Sequence, residues 1–124
     1  MILCYPVITV GKYTHKGSAK RVTGHEEPTA EDIKKFSLEL NVDGTTPPTF
    51  IWHTFFDKSV SVRNTLLFVG ALTEAGVPFE CHIFPNGDHG SALCNEETYE
   101  GHKGLLIPHA EIWTKLAVEW IRGS

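Results

Sequence analysis

Apolar residues in this chain fall into short runs and helical stripes separated by polar, glycine-containing stretches. Residues 1–10, MILCYPVITV, are apolar, β-branched and aromatic, which predicts a strand buried on both faces, as in a parallel sheet. Residues 11–28 are polar and glycine-rich and predict a loop. Thr29 with Asp32 three residues on has the form of a capping box, so a short helix should follow to about Phe36. Residues 41–48, NVDGTTPP, are turn chemistry. Residues 49–54, TFIWHT, predict a second fully buried strand. Ser59 and Ser61 are candidate caps for a helix whose apolar face is Val62, Leu66, Val69 and Leu72. Gly76 fits the residue just past that helix, and Pro78 prevents its continuation. Residues 79–84, FECHIF, predict a third strand, and PNGDHG a turn. Residues 91–107 predict an irregular loop. From Pro108 onward, Ile112, Trp113, Leu116, Ala117 and Trp120 line one face of a final amphipathic helix.

Strands alternating with helices imply an α/β architecture, a parallel sheet with right-handed crossovers. The chain has 124 residues, enough for one domain with a core of its own. Acidic and basic residues are mixed and net charge is −4, so no basic stripe marks a nucleic-acid surface. The apolar start lacks the basic flank of a signal peptide and is too short to cross a membrane. Cys4, Cys81 and Cys94 are odd in number and contain no CxxC. This favours a reducing, cytoplasmic setting over a disulfide framework, with secretion of a longer parent as the alternative.

Asp57 follows the second strand and His89 the third, with one strand–helix–strand unit between them. Neighbouring parallel strands lie about 4.8 Å apart and end on the same edge, which places the two side chains within reach of each other. Open α/β sheets bind ligands at that edge. A carboxylate beside an imidazole fixes its tautomer and stabilises the imidazolium formed when histidine takes a proton. The order Ser, acid, His is that of α/β-hydrolases, and this chain has the last two in that order. The plainer alternative makes Asp57 and His89 ordinary turn residues. His53 and His82 lie inside predicted strands and read as core or sheet-face residues; His25, His102 and His109 read as solvated. No HExxH or zinc-ligand spacing is present, so no metal is expected. Cys94, five residues past His89, is an alternative nucleophile that nothing else supports. Trp52, Trp113 and Trp120 read as core.

The stretches PPTFIWHTFFDKSV and LLFVGALTEAGVPFECHIFPNGDHG resemble the C-terminal third of esterases in the prolyl-oligopeptidase-like branch of α/β-hydrolases. YPVIT, HKGS, SLELNVDGTTPP and WTKLAVEWI are similar to the acetyl-xylan and feruloyl esterase-like carbohydrate esterases of that branch. The resemblance implies Asp57 as triad acid and His89 as general base, in the C-terminal half of a doubly wound sheet. It implies ester hydrolysis by acyl transfer through a serine, without a cofactor, on acylated sugars or other small esters. His15, in HKGS, is a candidate substrate contact at the mouth of the site, or simply a surface-loop residue.

Two departures fall near Asp57: the family often has proline where Ser61 stands, and a small or acidic residue near Phe56. The larger departure is the nucleophile. No GxSxG elbow occurs, and none of Ser18, Ser37, Ser59, Ser61, Ser91 and Ser124 lies on a strand-to-helix elbow. The oxyanion donors that accompany the elbow are missing with it. Residues 1–124 are therefore expected to be the C-terminal portion of an α/β-hydrolase domain, inactive alone. A bare N-terminal strand edge and uncovered sheet faces should then drive a homodimer or larger assembly through Ile2, Leu3, Tyr5 and Val7. A peptidase of the same superfamily is a further alternative, without the extra domain that usually confers its specificity.

Overall fold

A computed structural model describes residues 1–123. Three parallel strands form one sheet in the order β1 (Ile2–Cys4), β2 (Thr49–Thr54), β3 (Phe79–Phe84). The register pairs Leu3 with Ile51, and Ile51 with Cys81. Between the strands lie α1 (Lys16–Thr23), α2 (Ala30–Phe36) and α3 (Arg63–Glu74); α4 (Trp113–Ile121) closes the chain.

β2 is buried along its whole length and divides the core. Successive side chains of a strand point to opposite faces. Phe50 and Trp52 accordingly join Phe84, Cys94, Ile107, Ala110 and Ala117 on one face, with Trp113, Leu116 and Trp120 packed against them. Ile51 joins Ile8, Phe68, Leu72 and Val77 on the other. α4 thus covers one side of the sheet and α3 the opposite side, the layering of a doubly wound α/β sheet.

The first strand is much shorter than its apolar run. Tyr5 donates the last ladder bond, to Trp52 O at 2.7 Å, and then takes a left-handed conformation, φ 39°. Pro6 follows, with no N–H to give. Residues 7–10 leave the sheet, yet Ile8, Thr9 and Val10 are buried. Their donors go to side chains: Asn64 Oδ1 accepts from Ile8 N (2.9 Å) and Thr9 N (3.0 Å), and Ser37 Oγ from Val10 N (3.1 Å). The strand expected to be buried on both faces over residues 1–10 is thus cut to Ile2–Cys4 and lies at the sheet edge, with Met1 and Ile2 exposed. Only residues 8–10 are buried, and those outside the ladder.

The loop expected at residues 11–28 contains a helix. His15 caps the N-terminus of α1, its Nδ1 accepting from Ser18 N at 3.2 Å, and Gly24 ends it in the left-handed region. The capping box of α2 forms as expected: Asp32 N donates to Thr29 Oγ1 at 3.1 Å and Thr29 N to Asp32 Oδ2 at 2.8 Å. On α3 neither serine is the cap residue; Val62 is, while Ser61 Oγ accepts from Arg63 N at 3.3 Å. The buried face of α3 is Asn64, Thr65, Phe68 and Leu72, and Leu66 faces outward. Of the expected apolar face, Val62 and Leu72 are buried and Val69 packs against the core; periodicity missed Asn64 and Thr65 because they are polar side chains with buried partners. α4 starts at Trp113 rather than near Pro108; Ile112 is exposed and Ala117 buried. No helix among the described residues is long and apolar enough to cross a membrane.

Candidate active site

Thr54 and Phe84 are register partners at the ends of β2 and β3. The chain leaves both strands on one edge, and the two loops are tied together. Phe55 N donates to Phe84 O at 2.7 Å, Phe56 N to Pro85 O at 3.3 Å, and Thr54 Oγ1 to Gly87 O at 2.8 Å. Gly87 has φ 139°, and a Cβ there would stand 2.2 Å from Ile107 Cδ1 and 2.9 Å from Thr54 Cγ2. The first glycine of GDHG is thus required by close packing beneath the His89 loop.

These loops bring Asp57 and His89 together. His89 Nδ1 lies 2.7 Å from Asp57 Oδ2. The Asp57 carboxylate is fully buried, while the His89 side chain is about one-third exposed. Asp57 Oδ1 accepts from Ser59 N and Val60 N, each at 2.9 Å. A second imidazole, His53 Nε2, stands 3.3 Å from Oδ2. Burying a carboxylate is costly unless donors surround it; this one accepts three hydrogen bonds and has the His53 imidazole beside it as well.

Because a carboxylate accepts, His89 Nδ1 donates, and its Nε2 retains the lone pair. That nitrogen has no hydrogen-bond partner among the described residues. It can take a proton from a hydroxyl while Asp57 stabilises the imidazolium formed. The Tyr5 ring supports His89 edge-on, centroids 4.9 Å apart, and the Tyr5 hydroxyl accepts from Ala92 N at 3.3 Å. A polar cavity of about 320 Å³ opens beside the pair, lined by Lys58, Ser59, Asp88, His89 and His102.

The expected convergence of Asp57 and His89 is therefore present. His15 is not among the residues lining that cavity; its ring is occupied with capping α1. Cys94 is buried, and desolvation pushes its thiol up to about 11, so little thiolate forms near neutrality. Among the described serines none hydrogen-bonds His89; Ser91 is buried and donates to Asp88 O at 2.5 Å. His25, His102 and His109 are exposed as expected; two of them also pair, His25 with Asp32 at 2.6 Å and His102 with Asp88 at 2.9 Å. No cluster of three or more His, Cys, Asp or Glu suited to a metal occurs among the described residues.

Residues 4–105 match the sequence profile described as the prolyl oligopeptidase family. The chain belongs to the prolyl oligopeptidase family. Within the wider α/β-hydrolase fold it is similar to the acetyl ester-xyloside bifunctional hydrolase from Caldicellulosiruptor lactoaceticus: 42% identical, TM-score 0.85, over 98% of this chain and 41% of that one. It is similar to a carboxylesterase from Lactobacillus plantarum at 32% identity and TM-score 0.83, over 98% of this chain and 43% of that one. A Butyrivibrio fibrisolvens protein named endo-1,4-beta-xylanase B is 46% identical over 104 residues, 84% of this chain and 16% of its own length. The chain thus spans under half the length of each of these relatives. The family match covers the whole β2–α3–β3 unit and both site loops.

Sequence reasoning overlooked two contributors to the site, Tyr5 and His53. For His53 a signal existed: HTFFD sets it four residues before Asp57. For Tyr5 none did, since its approach to His89 depends on the left-handed turn that ends β1.

Proposed function

We propose that this chain carries the acid and the general base of a serine ester hydrolase, Asp57 and His89. The observation behind the reading is the 2.7 Å contact between His89 Nδ1 and a fully buried Asp57 carboxylate whose other oxygen is held by two backbone amides. In the proposed reaction a serine hydroxyl loses its proton to His89 Nε2 and attacks the ester carbonyl. His89 then returns the proton to the departing alcohol, and water releases the acyl group by the same route. The serine and its oxyanion donors belong to a GxSxG elbow, which these 124 residues do not contain. Residues 1–124 are accordingly read as the C-terminal portion of a hydrolase domain, unable to turn over ester alone. The substrates proposed are acylated sugars, on the strength of the similarity to an acetyl ester-xyloside hydrolase. Ester rather than peptide hydrolysis is favoured because the similar solved structures are named as ester hydrolases.

The test joins this chain, in place of the matching segment, to the remainder of the Caldicellulosiruptor hydrolase. The chimera should hydrolyse p-nitrophenyl acetate and deacetylate acetylated xylo-oligosaccharides, while the 124-residue chain alone does neither. Cleavage of proline-containing peptides without esterase activity would overturn the reading. So would stoichiometric labelling of a serine in the isolated chain by a fluorophosphonate.

A further inference from the structure

We infer that His53 is a positioning residue for the acid of this pair: from inside the core, its Nε2–H fixes Asp57 Oδ2 in the orientation that meets His89. The inference rests on the reading of Asp57 and His89 as acid and base.

His53 lies on β2 with no exposed surface, and both ring nitrogens have partners. Nε2 is 2.9 Å from Val60 O and 3.3 Å from Asp57 Oδ2. A carbonyl and a carboxylate only accept, so the neutral ring must carry its proton on Nε2. Nδ1 is then the acceptor, and Thr65 Oγ1, at 2.8 Å on the buried face of α3, donates to it. The tautomer is therefore set by geometry: Nε2–H hydrogen-bonds Val60 O, and the same nitrogen stands 3.3 Å from Asp57 Oδ2. Burial holds the imidazole below its ordinary value of 6.5, which keeps it neutral near neutral pH, although the Val60 carbonyl and Asp57 oppose the shift.

Asp57 Oδ1 is pinned by two backbone donors of its own turn, but these leave the carboxylate free to swing about that anchor. His53 and His89 approach the other oxygen from two sides, one from the core and one from the solvent edge. The chain Thr65, His53, Asp57, His89 thereby links α3, β2 and the two site loops. A purely structural residue in this place, with no polar atom, would fill the same space without the cost of burying an imidazole. Its placement four residues before Asp57 lets the strand end and the acid share one hydrogen-bonded unit.

The tautomers of both rings are readable by long-range ¹H–¹⁵N correlation on the ¹⁵N-labelled chain. His53 should carry its proton on Nε2 and His89 on Nδ1. In His53→Phe, His89 should shift from mainly Nδ1–H to mainly Nε2–H, the form that free imidazole favours in water. His53→Gln, whose amide can donate to the same acceptors, should restore mainly Nδ1–H. A folded His53→Phe that leaves His89 unchanged reduces His53 to packing and overturns the inference alone. A proton on His53 Nδ1 in the unsubstituted chain overturns it too, whether or not the Phe variant folds. If His89 of the unsubstituted chain is Nε2–H, the acid–base pair itself fails, and the inference with it.

Discussion

Two apolar runs of this chain, residues 1–10 and residues 49–54, carry the same kind of sequence and meet different fates. The second becomes β2, six residues buried on both faces, with its backbone paired to strands on either side. The first gives three strand residues and then an irregular arm whose amides are held by Asn64 and Ser37. Apolar content reports burial for the second run and for residues 8–10 of the first, while Met1 and Ile2 are exposed. Whether a buried backbone becomes a strand depends on which acceptors are available. A side-chain carbonyl placed by a distant helix can substitute for a ladder, and Tyr5 and Pro6 make the ladder impossible to extend.

The contrast is broken most strongly at β2. Trp52→Ala should cost about 3–5 kcal/mol, the range for emptying a large aromatic site in a core. In urea denaturation this should leave little folded protein, whereas Ile2→Ala, at a partly exposed strand end, should shift the midpoint only slightly. Next in size is Asn64→Ala. It strands Ile8 N, Thr9 N and Tyr13 O, and should cost about 2–4 kcal/mol at roughly 1–3 kcal/mol per stranded group, discounted for relaxation. Hydrogen exchange at Ile8 and Thr9 should accelerate while the β2 amides remain protected. Equal acceleration at β2 would show that arm and sheet open together.

Acid sharpens the comparison further, because β2 holds a buried histidine and the arm does not. The folded-state value of His53 lies below 6.5, so as pH falls through 6.5 the unfolded chain gains a proton that the folded chain refuses. Stability should therefore fall between about pH 7 and pH 5, and His53→Gln should flatten that fall. Asp32, held below its usual value by the Thr29 amide and by His25, acts in the same direction further down. Its contribution is present above 3.8 and lost on acidification. The smallest effect concerns association. With β1 only three residues long, the expected assembly through Ile2, Leu3, Tyr5 and Val7 has a shorter edge to use than the apolar run promised. We still propose a homodimer through that edge. Light scattering at low micromolar concentration should show a dimer that Leu3→Lys weakens, and a monomer indifferent to the substitution would remove the proposal.

Where the chain pairs backbone with backbone in β2 and β3, the strands fall on the residues expected; the local signals of the α2 capping box and the left-handed Gly76 were legible too. Asp57 and His89 were legible because parallel strands deliver their loops to one edge. α1 was hidden because its N-cap is a histidine, a residue that rarely announces a helix start. Part of the buried face of α3 was hidden because Asn64 and Thr65 are polar and find their partners far along the chain, while Leu72 was legible.

The central claim is that Asp57 and His89 act as acid and base. The most direct measurement is kcat for p-nitrophenyl acetate in the chimera carrying His89→Ala or Asp57→Asn. Each substitution should lower kcat by about 10³–10⁴-fold, as losses of triad members do, with KM and the urea midpoint nearly unchanged. A folded chimera that keeps kcat within a few-fold after either substitution would contradict the account.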